Sequence, residues 1–227
     1  MGNTESFQEV FYLVLLYHLD RNHSLNEGKA INLRNIHEVV TDNDCSPFAQ
    51  FFKDGVSLFG LGMIDNRCPT IPLLSTGDAT TSFINVDDFH RIKSPVDDRL
   101  IEITFELVRR LYFPQYPSRF QSLFTVKSIE EFNKWPELFS NGLQKPSLCN
   151  YHVYEINVSD NTPSFDSKWL NSGISAGIDK NRRFYYRVGI SFLYDFAYHY
   201  WNRDLTDNPR LEYLVKLPVK IGRKVNL

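Results

Sequence analysis

Apolar positions along the chain fall into three kinds of pattern, and each predicts a different element. A continuous run from about residue 9 to residue 19, rich in Val, Leu, Phe and Tyr, predicts a strand covered on both faces. Near the C-terminus, Leu211, Tyr213, Val215, Leu217, Val219 and Ile221 alternate with Glu212, Leu214, Lys216, Pro218 and Lys220, the period of a strand with one apolar face. Between about Asp97 and Tyr112, Leu100, Ile103, Leu107 and Leu111 recur at helical spacing, with Ile101, Phe105, Val108 and Tyr112 beside them. Asp97 and Asp98 at its start and Arg109 and Arg110 near its end complement the helix dipole.

The remaining elements follow from breakers and caps. Prolines 114 and 117 force Phe113 to Arg119 to be extended or turning, leading into a strand over about 120 to 127. Ser128 with Glu131 reads as a capping box opening a helix to about Phe139, which Pro136 shortens or kinks. Residues 149 to 159 alternate as a strand, and a nearly apolar stretch from Tyr186 to Trp201 predicts a last, well-buried helix. A short segment from Lys29 to Leu33 follows a turn at Gly28. Residues 42 to 98, with four prolines, predict loops and small strands, with a helix around Ser46 to Lys53. Strands and helices do not alternate in a βαβ rhythm, so the predicted fold is α+β, with a mixed, mostly antiparallel sheet in a single domain over residues 1 to 227.

At 227 residues the chain is long enough for one substantial core. An aromatic content of 15% excludes a disordered chain, and a net charge of −2 excludes a generally basic nucleic-acid binder, so any such contact rests on a local patch. Cys45, Cys68 and Cys149 are odd in number and far apart, as in reduced cytoplasmic proteins, and they make no zinc pattern; no metal is expected. The Met1–Ser6 segment matches only a loose acylation pattern, and the first apolar run is too short to span a bilayer. A soluble, cytoplasmic protein without membrane contact is therefore expected. The absence of a Gly-rich phosphate loop argues against Rossmann and P-loop sites.

Candidate chemistry concentrates at strand ends. The first strand empties into His18, Asp20, Arg21, Asn22 and His23. Glu212 sits at the start of the last strand, just after an Asn-Pro turn, on the side opposite the apolar positions, where the plain alternative is a solvated strand carboxylate. Equally plain alternatives exist for the others: His18 satisfying a backbone group at a strand end, Arg119 pairing with Glu130 or Glu131, Ser118 in a turn, and Tyr200 and Trp201 in the core.

Three blocks, Tyr17-His18-Leu19-Asp20-Arg21, Phe113 to Phe124, and Tyr200-Trp201 followed by Leu211-Glu212-Tyr213-Leu214, occur in an order that resembles the ADP-ribosyltransferase superfamily. They are most similar to poorly characterised bacterial and phage-defence domains. The resemblance covers most of the chain, with residues 42 to 98 outside it as a family-specific insertion that selects the acceptor. It implies an ADP-ribosyltransferase-like split sheet and NAD as substrate. It implies Glu212 as the catalytic carboxylate and His18 on the ribose or amide of NAD, with a second motif in the block around Ser118, Arg119 and Ser122. Arg119, with Arg21, suits the pyrophosphate, and Tyr116 or Tyr17 suits stacking on the nicotinamide. The chain departs from better-known members in lacking a Ser-Thr-Ser strand and in carrying Arg210 two positions before Glu212, which makes transfer to arginine less expected. The implied activity is mono-ADP-ribosyl transfer to a macromolecule, RNA or DNA ahead of protein, in a toxin or antiphage effector neutralised by a partner protein. Arg182, Arg183, Tyr185, Tyr186 and Arg187 form a basic and aromatic stretch suited to single-stranded nucleic acid, or else the solvated start of the last helix. The rivals are an NAD glycohydrolase on the same fold and a catalytically silent binding module.

Overall fold

The first apolar run becomes strand β1, Leu13–Asp20, in the computed structural model, which describes residues 13–38, 50–64, 95–135, 148–170, 174–178, 184–188 and 190–226. The later strands are β2 Ala30–Ile31, β3 Ser122–Thr125, β4 His152–Ser159, β5 Ser164–Asp166, β6 Ile174–Ile178, β7 Phe184–Val188, β8 Leu211–Lys216, β9 Val219–Lys220 and β10 Lys224–Val225. The α-helices are α1 Leu58–Ile64, α2 Pro95–Tyr112 and α3 Ile190–Trp201. The α+β class is thus present, and every described strand pair is antiparallel. Contacts gather in two units interleaved along the chain. Unit 1 takes Met1–Asn32, Ser122–Ser167 and Leu205–Leu227; unit 2 takes Leu33–Gln121 and Lys168–Asp204.

Unit 1 is built on two three-stranded ladders, β1-β4-β10 and β3-β8-β5. An isolated backbone bridge joins them: Tyr17 and Val126 exchange both backbone hydrogen bonds at 2.9 Å. Alternation along β4 then serves two cores at once. Tyr154, Ile156 and Val158 pack with Leu16, Val215 and Ile221 on one face, while Val153 packs with Leu19, Val126 and Phe132 on the other. Gly222 lies where the chain crosses β4, and any Cβ there would strike the Glu155 carbonyl.

Unit 2 holds α1 to α3 and the β6-β7 hairpin. The core stripe of α2 is Ile101, Phe105 and Val108, whereas Leu107 and Leu111, expected to face the core, are exposed. Glu102, Glu106 and Arg109 are buried instead, because each carboxylate has an arginine partner inside the unit. Tyr200 and Trp201 are fully buried core residues, the Trp201 indole donating to the Phe105 carbonyl at 2.7 Å.

Four sequence expectations are corrected. The stretch expected as one helix from 186 is strand β7 and then α3, so Tyr185, Tyr186 and Arg187 lie on a hairpin strand; Arg182 and Arg183 are outside the described residues. Nor is α3 buried all round, since Phe192, Tyr194 and Tyr198 are exposed. The segment after Ser128 is a 3-10 helix, Ile129–Lys134, without a side-chain cap, and the Glu131 carboxylate reaches back to the Lys127 N–H instead. The strand expected from 120 starts at Ser122, because Arg119–Gln121 makes a 3-10 turn. The helix expected at 46 to 53 and most of the insertion at 42 to 98 fall outside the described residues.

Among the described residues, no helix is long and apolar enough to cross a membrane, and no three His, Cys, Asp or Glu side chains are grouped to hold a metal.

Candidate active site

Alternation and pairing place the candidate residues of unit 1 on definite faces. Tyr17 and Val126 form a hydrogen-bonded antiparallel pair, so their side chains share a face. The β3-β8 ladder runs from Ser122↔Lys216 to Thr125↔Tyr213, so Val126 and Glu212 are the residues that follow its last pair. Glu212 in turn pairs with Phe165 on β5. Tyr17, Val126, Glu212 and Phe165 therefore form one row across four neighbouring strands.

Glu212 is 3% exposed. The expectation of a solvated or rim carboxylate is corrected: both faces of β8 are covered, with Leu214 on the Glu212 side and Tyr213 and Val215 in the core on the other. A carboxylate in such a place is held on a rigid strand in a low-dielectric setting, where its charge acts strongly on whatever comes near it.

The approach to β8 is fixed by a second buried carboxylate. Asp166, fully buried at the end of β5, accepts from the Thr206 N–H and hydroxyl through Oδ2 and from the Arg210 N–H through Oδ1. Ser167 donates to the Arg210 carbonyl and accepts from Arg210 Nε, both at 2.8 Å. The guanidinium of Arg210 lies over the Trp135 ring at 4.4 Å. Trp135, Asp166 and Ser167 are additions to the sequence-derived set. Nothing local marks them in the sequence, since the roles of Asp166 and Ser167 come from contacts with residues 40 or more positions away, and that of Trp135 from Arg210, likewise distant in the chain.

His18 is placed differently. It lies on the opposite face of β1 from Tyr17, alongside Leu16 and Asp20. Its Nδ1 donates to the Phe124 carbonyl at 2.8 Å, the plain alternative of a histidine satisfying a strand-end backbone group. A carbonyl only accepts, so Nδ1 carries the proton and the neutral ring leaves Nε2 as an acceptor. Burial pushes its pKa below the usual histidine value, outweighing the raising effects of the Phe124 bond and Asp20. Asp20 shifts downward too: burial raises it, but the backbone N–H groups of Leu25, Ser24 and Asn22 outweigh that.

Arg21 is exposed at the turn after β1, and Ser122 is buried at the start of β3. Tyr116, Ser118 and Arg119 belong to unit 2. There, Arg119 is buried with its Nε and Nη2 on the two oxygens of Glu102, both at 2.9 Å, and its Nη1 on the Tyr200 hydroxyl at 2.8 Å. Ser118 donates to Glu106, which also binds Arg109 and Arg110. Tyr116 stacks near Trp201 and gives its carbonyl to Arg109. These three side chains hold the core of unit 2, and the partner of Arg119 is Glu102, not Glu130 or Glu131.

A family model described as a protein of unknown function, DUF2441, matches residues 16–226, nearly the whole chain. The chain belongs to the DUF2441 family. No curated protein matches it significantly. The matched span of this DUF2441 chain includes β1, β3 and β8, and with them Tyr17, His18 and Glu212.

Proposed function

We propose that this DUF2441 chain is an NAD-consuming mono-ADP-ribosyltransferase acting on a macromolecule, with nucleic acid favoured as acceptor. It serves as a toxin or defence effector restrained by a partner protein. One observation carries the reading: β1, β3 and β8, which bear the first resembling block, the end of the second and the Leu211–Leu214 part of the third, are consecutive neighbours, and they bring Tyr17 into line with Glu212.

In this reading Glu212 supplies the negative charge that stabilises oxocarbenium character as the bond from nicotinamide to ribose breaks, and it orients the ribose 2′-hydroxyl. Tyr17, on the same face, stacks on the nicotinamide. His18 is a positioning residue whose ring takes the Phe124 carbonyl where β1 leaves β3. Arg21, exposed beside β1, meets phosphate. Arg119 is given no ligand role, because its guanidinium is already bidentate on Glu102.

The reading is tested with labelled NAD and cell lysate, comparing wild type with Glu212→Gln, followed by nuclease or protease digestion. Glu212-dependent, nuclease-sensitive label is expected. Free ADP-ribose without retained label identifies a glycohydrolase instead. A silent module is the second reading, and the placing of His18 and Glu212 on opposite faces favours it; it predicts no NAD turnover by either protein.

A further inference from the structure

The geometry points to a phosphoryl-oxygen subsite formed by Trp135 and Arg210, just before the strand that carries Glu212. The inference rests on the NAD reading for the identity of the ligand, and on the following observations for the site itself.

The indole nitrogen of Trp135 is buried and has no hydrogen-bond partner. A buried donor without an acceptor costs about 1 to 3 kcal/mol, and nearly all such groups in folded proteins are satisfied. An orphan of this kind on a half-buried ring, beside a cation, is a donor awaiting an acceptor. The cation is Arg210, whose guanidinium lies 4.4 Å from the ring centre and whose Nε is tethered to Ser167. Both rims are half-buried, so an anion reaches them from solvent when the Arg210 head lifts from the indole.

Arg210 immediately precedes β8, two residues before Glu212, so their backbones lie about 7 Å apart at roughly 3.3 Å per residue. On the NAD reading, the phosphate held by Trp135 Nε1 and Arg210 belongs to the dinucleotide whose ribose meets Glu212.

The test uses the full chain, labelled with nitrogen-15 at its three tryptophans, and inorganic pyrophosphate as probe. Trp135→Phe keeps the stacked ring and removes only the N–H, and the indole resonance it deletes identifies Trp135. That resonance is expected to shift as pyrophosphate is added, and Trp135→Phe is expected to bind pyrophosphate about tenfold more weakly or worse. The Tm of the free variant is expected to be unchanged or higher, because no internal hydrogen bond is lost. A resonance indifferent to pyrophosphate, or equal affinity in the two proteins, overturns the subsite. NAD consumption is followed in parallel to separate the two ideas. A responsive indole in a chain that never consumes NAD keeps the subsite and removes the NAD reading, whereas NAD consumption with a silent indole does the reverse.

Discussion

The Nδ1–H of His18 occupies the Phe124 carbonyl at 2.8 Å, next to Tyr17↔Val126, the isolated backbone bridge between the two described ladders of unit 1. After Tyr17↔Val126, a regular antiparallel ladder continues with backbone bonds between Leu19 and Phe124. Here a side chain takes that place. The ring both stops β1 from zipping further onto β3 and prevents a half-buried carbonyl from going unpaired. His18→Ala is therefore expected to destabilise the chain by about 1 to 3 kcal/mol, measured by urea denaturation, with His18→Gln recovering part of the loss through its amide donor. Equal stability of wild type and His18→Ala would show that the bond does not hold the split.

Glu212→Gln keeps the shape of the side chain and removes its charge. On the proposed chemistry NAD turnover falls about a hundredfold to a thousandfold, with NAD affinity changed far less, measured as kcat and KM separately. A rise in KM at constant kcat would assign Glu212 to ground-state binding alone.

Stability depends on pH through His18, His152 and Asp20. His18 and His152 both have pKa values lowered from 6.5, burial being the first cause in each, so the unfolded chain takes up these protons before the native one. Their contribution is complete above about pH 6.5 and is lost as the pH falls through the lower folded values. Asp20, lowered from 3.8, adds stability above that value, which is lost in more acidic solution. Urea midpoints are expected to fall between pH 7 and 5, and His18→Gln is expected to flatten part of that slope. An unchanged slope in the variant would remove His18 from the account.

Arg119 gives the sharpest contrast between a ligand role and a structural one. It and Glu102 are both buried, and removing one partner leaves the other charge uncompensated. Arg119→Ala is expected to cost about 3 to 5 kcal/mol. Arg119→Lys is expected to recover only part, since a point charge does not replace the two-pronged contact. An Arg119→Lys protein of wild-type stability that had lost NAD affinity would restore Arg119 to the ligand site.

The parts of the fold legible in the sequence are those governed by local periodicity. β1, α2, β4 and β8 were each readable from spacing of two or of 3.6 residues, and Tyr200 and Trp201 from their apolar setting. The core stripe of α2 was not, because Glu102, Glu106 and Arg109 look like surface residues until Arg119 and Ser118, up to 17 positions away, are folded onto them. The break between β7 and α3 was hidden by an unbroken aromatic run that suits either element. At the site, Glu212 was marked by alternation, but its burial comes from strands on both sides, which one strand's pattern does not reveal. Trp135 and Asp166 carry no local signal, and the relation of Asp166 to Arg210 exists only once β5 lies beside β8.

The interleaving of the two units also fixes when the protein can be completed. β1 is made before the other described strands, yet the ladder it belongs to ends in β10, and β3 and β5 have no shared partner until β8 exists. Both closing strands lie beyond residue 210. Unit 1, with the carboxylate on which the proposed chemistry depends, is thus assembled only once the residues beyond 210 have been made. A nascent chain stalled before that point carries His18 and Trp135 but no Glu212, and so none of the proposed chemistry.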